Sequence, residues 1–265
     1  MEKEDCILKM TGISKNFAGV QALREVDFDL RPGEVHALLG ENGAGKSTLI
    51  KIITGVHQPN SGAIYLNDAP VRLANPREAQ RYGIAAIYQE PSLFPDLDIA
   101  ENIFVGRQPT RPGGRVAWNR MYWEAAKLLR DLGVYLDPKT KARNLSVAQQ
   151  QMVEIARALS VQAKILIMDE PTSSLTPAEV EELFRIVRQL RQAGAAIVFI
   201  SHRLEELFEV ADRVTVLRDG ALVGSKPMSE VTTDMLIQMM VGRTLADLFP
   251  KRAVELGEIA LQVEG

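Results

Sequence analysis

Gly40-Glu41-Asn42-Gly43-Ala44-Gly45-Lys46-Ser47 fits the spacing G-x-x-x-x-G-K-[ST] without a gap. It follows an apolar run, Val35 to Leu39, that reads as a short strand. It opens a helix predicted from about Lys46 to Gly55, with Leu49, Ile50, Ile52 and Ile53 on its apolar face. Strand, glycine-rich turn and helix in that order make a cradle for phosphate. Glycines let the loop turn its backbone N–H groups inward, and the helix N-terminus adds unpaired N–H groups and its dipole. Lys46 is expected to reach the β- and γ-phosphates, and the Ser47 hydroxyl to ligate Mg²⁺. Thr48 is a neighbouring candidate. The plain alternative is a glycine-rich loop with a chance lysine; the flanking strand and helix argue against it.

Such a cradle needs a carboxylate from a neighbouring strand. Ile165-Leu166-Ile167-Met168-Asp169-Glu170 supplies one: four apolar residues read as a buried strand, and two acids emerge at its carboxyl end. Open α/β sheets bind their ligands at that end. Asp169 is expected in the Mg²⁺ shell, and Glu170 as the base that polarises an attacking water. The alternative is a charged strand end facing solvent. Further strands at Ala195–Ile200 and Arg213–Arg218 alternate with helices at Pro177–Gln192 and Glu205–Ala211. That alternation predicts a parallel sheet covered by helices. Nearer the N-terminus, Val26 to Leu30 and Gly83 to Tyr88 read as strands, and Ala63–Leu66 with Pro70–Leu73 as a hairpin about Asn67-Asp68. Asp219-Gly220 is a further turn candidate. From about Asp96 to Ser160 the chain reads as a mainly helical insertion, with helices at Arg120–Leu132 and Ser146–Ser160.

The rest of the 265 residues sets bounds. Lys plus Arg number 31 against 34 Asp plus Glu, a net charge of −3, so no basic footprint points to nucleic acid. The one cysteine, Cys6, cannot form an internal disulfide, which fits a reducing compartment. The start, Met1-Glu2-Lys3-Glu4-Asp5, lacks the pattern of a secretory signal. No apolar run is long enough to cross a membrane.

These elements alone give a P-loop nucleoside triphosphatase, a core that small-molecule kinases share. More residues narrow it. Gln89 follows the strand Ile84–Tyr88. Leu145-Ser146-Val147-Ala148-Gln149-Gln150-Gln151 opens the second insertion helix. Ser173-Ser174-Leu175-Thr176 follows Glu170-Pro171-Thr172, and His202 follows Ala195–Ile200 through Ser201. In this order the set resembles the ATP-binding cassette (ABC) ATPase family over nearly the whole chain. The resemblance implies an α/β fold with a P-loop NTPase core and parallel sheet, an N-terminal antiparallel β subdomain and a helical subdomain. It divides the chain into a cassette at 1–250 (core 1–95 and 161–250, helical subdomain about 96–160) and a linker at 251–265.

The resemblance also implies roles. ATP and Mg²⁺ are the cofactors. Phe17 stacks on adenine, although as a bare observation it reads equally as core. Gly40, Glu41, Asn42, Gly43, Ala44, Gly45, Lys46, Ser47 and Thr48 hold the phosphates. Ser47, Gln89 and Asp169 surround the metal. Glu170, His202 and Lys46 carry the hydrolysis. Two cassettes face head to tail, so that Ser146 and Gln149 of one cap the γ-phosphate held by the other. Gln89 and the segment Glu90 to Pro95 meet integral membrane permease subunits, with Leu93 and Phe94 as contact or core residues. The cassette lies in the cytoplasm, peripheral on the inner face of the membrane. His36 and His57 match no motif and read as structural or surface residues. Trp118 and Trp123 read as packing or as a contact face.

The usual signature has glycines where Val147 and Ala148 stand, so the capping geometry is open to change. This variant, with Ser174-Leu175-Thr176, resembles the N-terminal cassette of tandem monosaccharide-importer ATPases, which act with an external sugar-binding protein. Glu258 to Val263 alternates like the start of a new strand. The expectation is the first cassette of a longer protein, with 251–265 leading into the second; an exposed C-terminal extension is the alternative. Three rival functions remain beside sugar import. They are a translation-associated ABC factor, a small-molecule kinase and a module that binds ATP with little turnover. A DNA-repair ATPase of the family would carry a long coiled coil, for which the interval from Lys46 to Leu145 leaves no room.

Overall fold

The computed structural model describes residues 6–89 and 91–242. Strands β1 (Leu8–Phe17), β2 (Val20–Leu30) and β3 (Val35–Leu39) lead to helix α1 (Lys46–Ile53). Strands β4 (Ser61–Leu66) and β5 (Ala69–Val71), helix α2 (Pro76–Arg81) and strand β6 (Ile84–Ile87) follow. Three helices come next: α3 (Ile99–Ile103), α4 (Trp118–Asp131) and α5 (Val147–Ser160). The chain then runs through β7 (Ile165–Asp169), α6 (Pro177–Gln192), β8 (Ala196–Ile200), α7 (Leu204–Val210), β9 (Arg213–Arg218), β10 (Ala221–Pro227) and α8 (Thr233–Val241).

Two sheets result. One is antiparallel, in the order β2-β1-β4-β5. The other is ordered β10-β9-β3-β8-β7-β6. In it β6, β7, β8, β3 and β9 run parallel and β10 pairs antiparallel at the edge. Every residue of β3 and β8 is buried, as are the first four of β7. Strands covered on both faces need apolar residues at every position, and the runs Val35–Leu39 and Ile165–Met168 supply them. The two-residue period of a strand sends alternate side chains to opposite faces. Ile165 and Ile167 meet α1 residues Leu49 and Ile52 and antiparallel-sheet residues such as Leu8 and Ile13 in one core. Leu166 and Met168 join Phe184 of α6 and Met152 of α5 in the other. Met121, Ala125 and Leu129 of α4 belong to that second core, so the three insertion helices share it with the sheet.

Both expected turns form. Asn67 and Asp68 have φ of 47° and 63°, and Asp219 and Gly220 have 50° and 77°. Two positive φ values suit the twist of a tight hairpin. Besides the short α3 inside the expected helical insertion, four elements were not separately predicted. The alternation of β1 breaks at Gly12, where the pairing register shifts between Met10 and Ile13. Helix α2 buries only Ala79 and α8 only Leu236, too little for a periodic signal. Strand β10 lies mostly outside the core. The strand expected from Glu258 falls outside the described residues.

Arg213 fastens the layers. Its guanidinium donates to Glu34 Oε1 at 2.7 Å and to Asp29 Oδ2 at 2.6 Å, joining β9 to the end of β2 and the start of β3. Beside it His36 is fully buried, with Nε2 2.7 Å from Thr215 Oγ1 and its ring 4.8 Å from that of Phe28. Burial, assisted by the Arg213 charge and opposed by Glu34 and Asp29, pushes the His36 pKa from 6.5 down to about 4. The unfolded chain thus takes up a proton before the folded one does. This contribution is full above pH 6.5 and is lost as pH falls toward 4. By pH 5 the loss is about 2 kcal/mol. Urea unfolding of the wild type and His36→Gln across pH 8 to 5 checks this. The variant is expected to show the shallower decline, and equal slopes would refute the shift.

Candidate functional site

Parallel pairing delivers the carboxyl ends of β3, β8 and β7 to one edge of the sheet. From β3 the chain enters the loop 40–45. Gly40 has φ of 153°, and a Cβ there would collide with the Leu217 carbonyl and lie 2.8 Å from Ala44 Cβ. At Gly45, with φ of 104°, a Cβ would lie 2.7 Å from Leu23 and 2.8 Å from the Ala22 carbonyl. Both positions therefore require glycine. No side chain caps α1 at Gly45, which leaves its first-turn N–H groups open to an anion. Lys46 Nζ lies over the loop and donates to Gly40 O at 2.7 Å and to Glu41 O at 3.2 Å.

From β7 come the acids. Asp169 ends the strand, and Glu170 takes φ of 49° while its N–H donates to Ile200 O at 2.9 Å. A left-handed glutamate is a costly conformation, of the kind that gathers at functional sites. From β8 comes His202, whose Nδ1 is 3.3 Å from Glu170 Oε2. A cavity of about 450 Å³ is lined by Gly40, Glu41, Lys46, Glu170, Ser201 and His202. A second, of about 300 Å³, is lined by 42–48 and by Val20, Gln21 and Ala22, and it shares Asn42 and Lys46 with the first. Burial lowers the Lys46 pKa, against Glu170 and Asp169. Burial and the charge of Glu170 raise that of Asp169, against Lys46 and Lys51. Asp169 is thus a carboxylate short of positive charge. With the Ser47 hydroxyl it offers the oxygen donors that Mg²⁺ takes beside phosphate. Among the described residues no group of three or more His, Cys, Asp or Glu could hold a metal by itself.

The other expected residues lie apart from these cavities. Phe17 is not core: it is 38% exposed, meets His57 edge-on at 5.0 Å, and has Lys15 Nζ 5.1 Å from its ring. It pairs with Val20 across the hairpin that edges the smaller cavity. Gln89 is exposed just past β6. Ser146 and Gln149 form a reciprocal cap at the start of α5, with Gln149 N–H donating to Ser146 Oγ at 3.2 Å and Ser146 N–H to Gln149 Oε1 at 3.0 Å. Neither lines a cavity of its own chain's phosphate loop. Leu93 packs against the core, whereas Phe94 is exposed. Trp118 and Trp123 are exposed, and Trp118 stacks on Tyr122.

Three features escaped the sequence reading. Met240 of α8 lines the larger cavity. Ser201, Thr172 and Glu206 are buried around a shared hydrogen-bond centre. Glu154 and Arg157 of α5 clasp Ser92: Ser92 N–H donates to Glu154 Oε1 at 2.8 Å and Arg157 Nη2 to Ser92 Oγ at 2.9 Å. Only Ser201, flanked by a strand and His202, carried a local signal.

The family profile described as ABC transporter matches residues 23–173. The chain is 56% identical over 257 residues to "Ribose import ATP-binding protein RbsA 2" of Streptomyces avermitilis, covering 97% of this chain and 51% of that protein. It is 50% identical over 258 residues to "Putative ribose/galactose/methyl galactoside import ATP-binding protein 2" of Agrobacterium fabrum, covering 97% and 50%. The chain spans about half the length of these curated relatives. Its fold matches the ADP conformation of an ATP-binding cassette of an ABC transporter, with TM-score 0.76, 27% identity and coverage of 90% and 99%.

The loop geometry makes a direct prediction for a bare polyphosphate. Lys46→Ala is expected to weaken inorganic triphosphate binding by roughly 10- to 100-fold, the worth of about 1.5–3 kcal/mol of charge-assisted hydrogen bonding. Glu170→Gln, which removes a nearby negative charge, is expected to keep or improve it. Titration calorimetry reads both, and unchanged affinity in Lys46→Ala would place the anion elsewhere.

Proposed function

The chain belongs to the ABC transporter family, and from that premise we propose that it is a Mg²⁺-dependent ATPase cassette that powers monosaccharide import. The observation that carries this reading is the Glu170–His202 pair, 3.3 Å apart across the cavity from Lys46. ATP lies with its phosphates along the loop 40–48. Lys46 and the N–H groups of α1 take up phosphate charge. Ser47 and Asp169 would hold Mg²⁺, with Gln89 as a further candidate, and the ion would supply charge neutralisation at the phosphate oxygens. Glu170 orients a water for in-line attack on the γ-phosphorus and accepts its proton. His202, steadied by Glu170, donates toward the γ-phosphate as charge moves onto it. Phe17, exposed on the hairpin beside the smaller cavity, supplies a flat face for adenine.

The second half of the site comes from another cassette. Ser146 and Gln149 stand exposed or half-exposed at a helix N-terminus away from their own loop, which supports capping of ATP held by the facing partner. That partner is a second cassette, in the same chain or in a second copy. The permease docks near Gln89. A separate groove of about 730 Å³ is lined by Arg77, Arg81, Arg107, Arg157 and Glu154, and the last two also hold Ser92 in the segment that follows Gln89. Four arginines against one glutamate in this lining suit an acidic group on its occupant. No described helix is long and apolar enough to cross a membrane. The cassette sits at the cytoplasmic face, bound to subunits that cross the membrane, with a sugar-binding protein on the far side; the import ATP-binding names of the relatives support this placement. The relatives' names support the sugar class, and neither a kinase nor a translation factor has a comparable observation behind it.

ATP turnover measured against protein concentration tests this. It is expected to rise faster than linearly, and Glu170→Gln is expected to cut it at least about 100-fold while trapping a dimer with MgATP on size exclusion. Turnover strictly proportional to concentration, with no dimer trapped by MgATP, would refute a site shared between two copies of the chain.

A further inference from the structure

Helix α7 begins beyond Arg203 with two adjacent acids. Glu205 faces solvent, whereas Glu206 is only 7% exposed. The carboxylate of Glu206 sits beneath the catalytic loops. Thr172 Oγ1 donates to Glu206 Oε2 at 2.7 Å, and Ser201 Oγ donates to the same oxygen at 2.6 Å. Both hydroxyls are buried. Arg203 completes the arrangement: its N–H donates to Ser201 Oγ at 3.0 Å and its Nη1 lies 3.4 Å from Glu206 Oε1.

The chain positions give this cluster its meaning. Thr172 follows Glu170 through Pro171, and Ser201 directly precedes His202. One carboxylate oxygen therefore ties together the two loops that carry Glu170 and His202. A carboxylate oxygen has two lone pairs and accepts both hydroxyls; an apolar side chain there would strand two buried donors.

We propose that Glu206 is a positioning residue for hydrolysis, fixing the separation of Glu170 and His202 by holding Thr172 and Ser201 on one oxygen. This rests on the reading that Glu170 and His202 act on the γ-phosphate. Glu206 does not line the cavity. It acts through the loops, and a misplacement of about 1 Å at a reacting group costs on the order of 100-fold in rate.

The test compares Glu206→Ala, Glu206→Gln and Thr172→Val with wild type in ATP turnover, fluorescent-ATP binding and hydrogen exchange. Glu206→Ala is expected to lower kcat by roughly 10- to 100-fold with KM within about twofold. Glu206→Gln keeps an oxygen that accepts both hydroxyls and is expected to restore most of that loss. Thr172→Val removes one tether and is expected to fall between; it also serves if Glu206→Ala does not fold. Exchange in segments 170–176 and 200–206 is expected to quicken together in Glu206→Ala and Thr172→Val. Wild-type kcat in both variants would overturn the proposal, as would Glu206→Gln as slow as Glu206→Ala, or unchanged exchange in both segments. A wild type that binds no ATP would overturn the ATPase reading instead. The exchange result, read without nucleotide, would still decide whether Glu206 clamps the loops.

Discussion

The site depends on the parallel pairing of β3, β8 and β7. Apart from His36 in β3 and Asp169 at the end of β7, the residues of these strands are apolar and buried. The chemistry gathers where each strand stops. Because the strands run the same way and are hydrogen-bonded in register, their stopping points coincide. Lys46, Glu170 and His202, distant in the chain, arrive at one cavity as a result. A slip of one residue in a pair would exchange its two faces, which meet separate cores. The hydrophobic pattern that stabilises the sheet thereby sets the catalytic geometry.

Charge within the cavity is arranged for what it is to receive. Lys46 is half-buried near Glu170 and Asp169, and the acids oppose the effect of burial on the lysine while the lysine opposes it on Asp169. One lysine against two acids leaves a site short of positive charge, which suits a ligand that arrives with a cation of its own.

Much of this was legible because its signals are local. The phosphate loop is eight consecutive residues with required glycines, and Asp169 and Glu170 stand directly after an apolar run. The buried strands read well for the same reason. Contacts formed only by folding were not legible. Glu206 looks like Glu205 and Glu209 in a short helix with acids on several faces, and only the packed structure shows that it points inward. His57 matched no motif, yet it meets Phe17 through space. Strand β1 escaped because the bulge at Gly12 interrupts the alternation by which strands are recognised. Ser146 and Gln149 were legible as a motif, but they line no cavity of their own chain's phosphate loop.

The clasp of Glu154 and Arg157 on Ser92 has a mechanical side. Ser146 caps the same helix that ends in this clasp, so α5 is a stiff rod joined at one end to the segment beyond Gln89 and bearing the capping serine at the other. At 1.5 Å of rise per residue the rod is about 17 Å long between Ser146 and Arg157. A tilt of about 4° at the clasp moves the serine by about 1 Å over that length. Hydrogen bonds weaken steeply over such distances and angles. A small push on the arginine-lined side is thus geared into the making or breaking of a contact at the far tip of the helix.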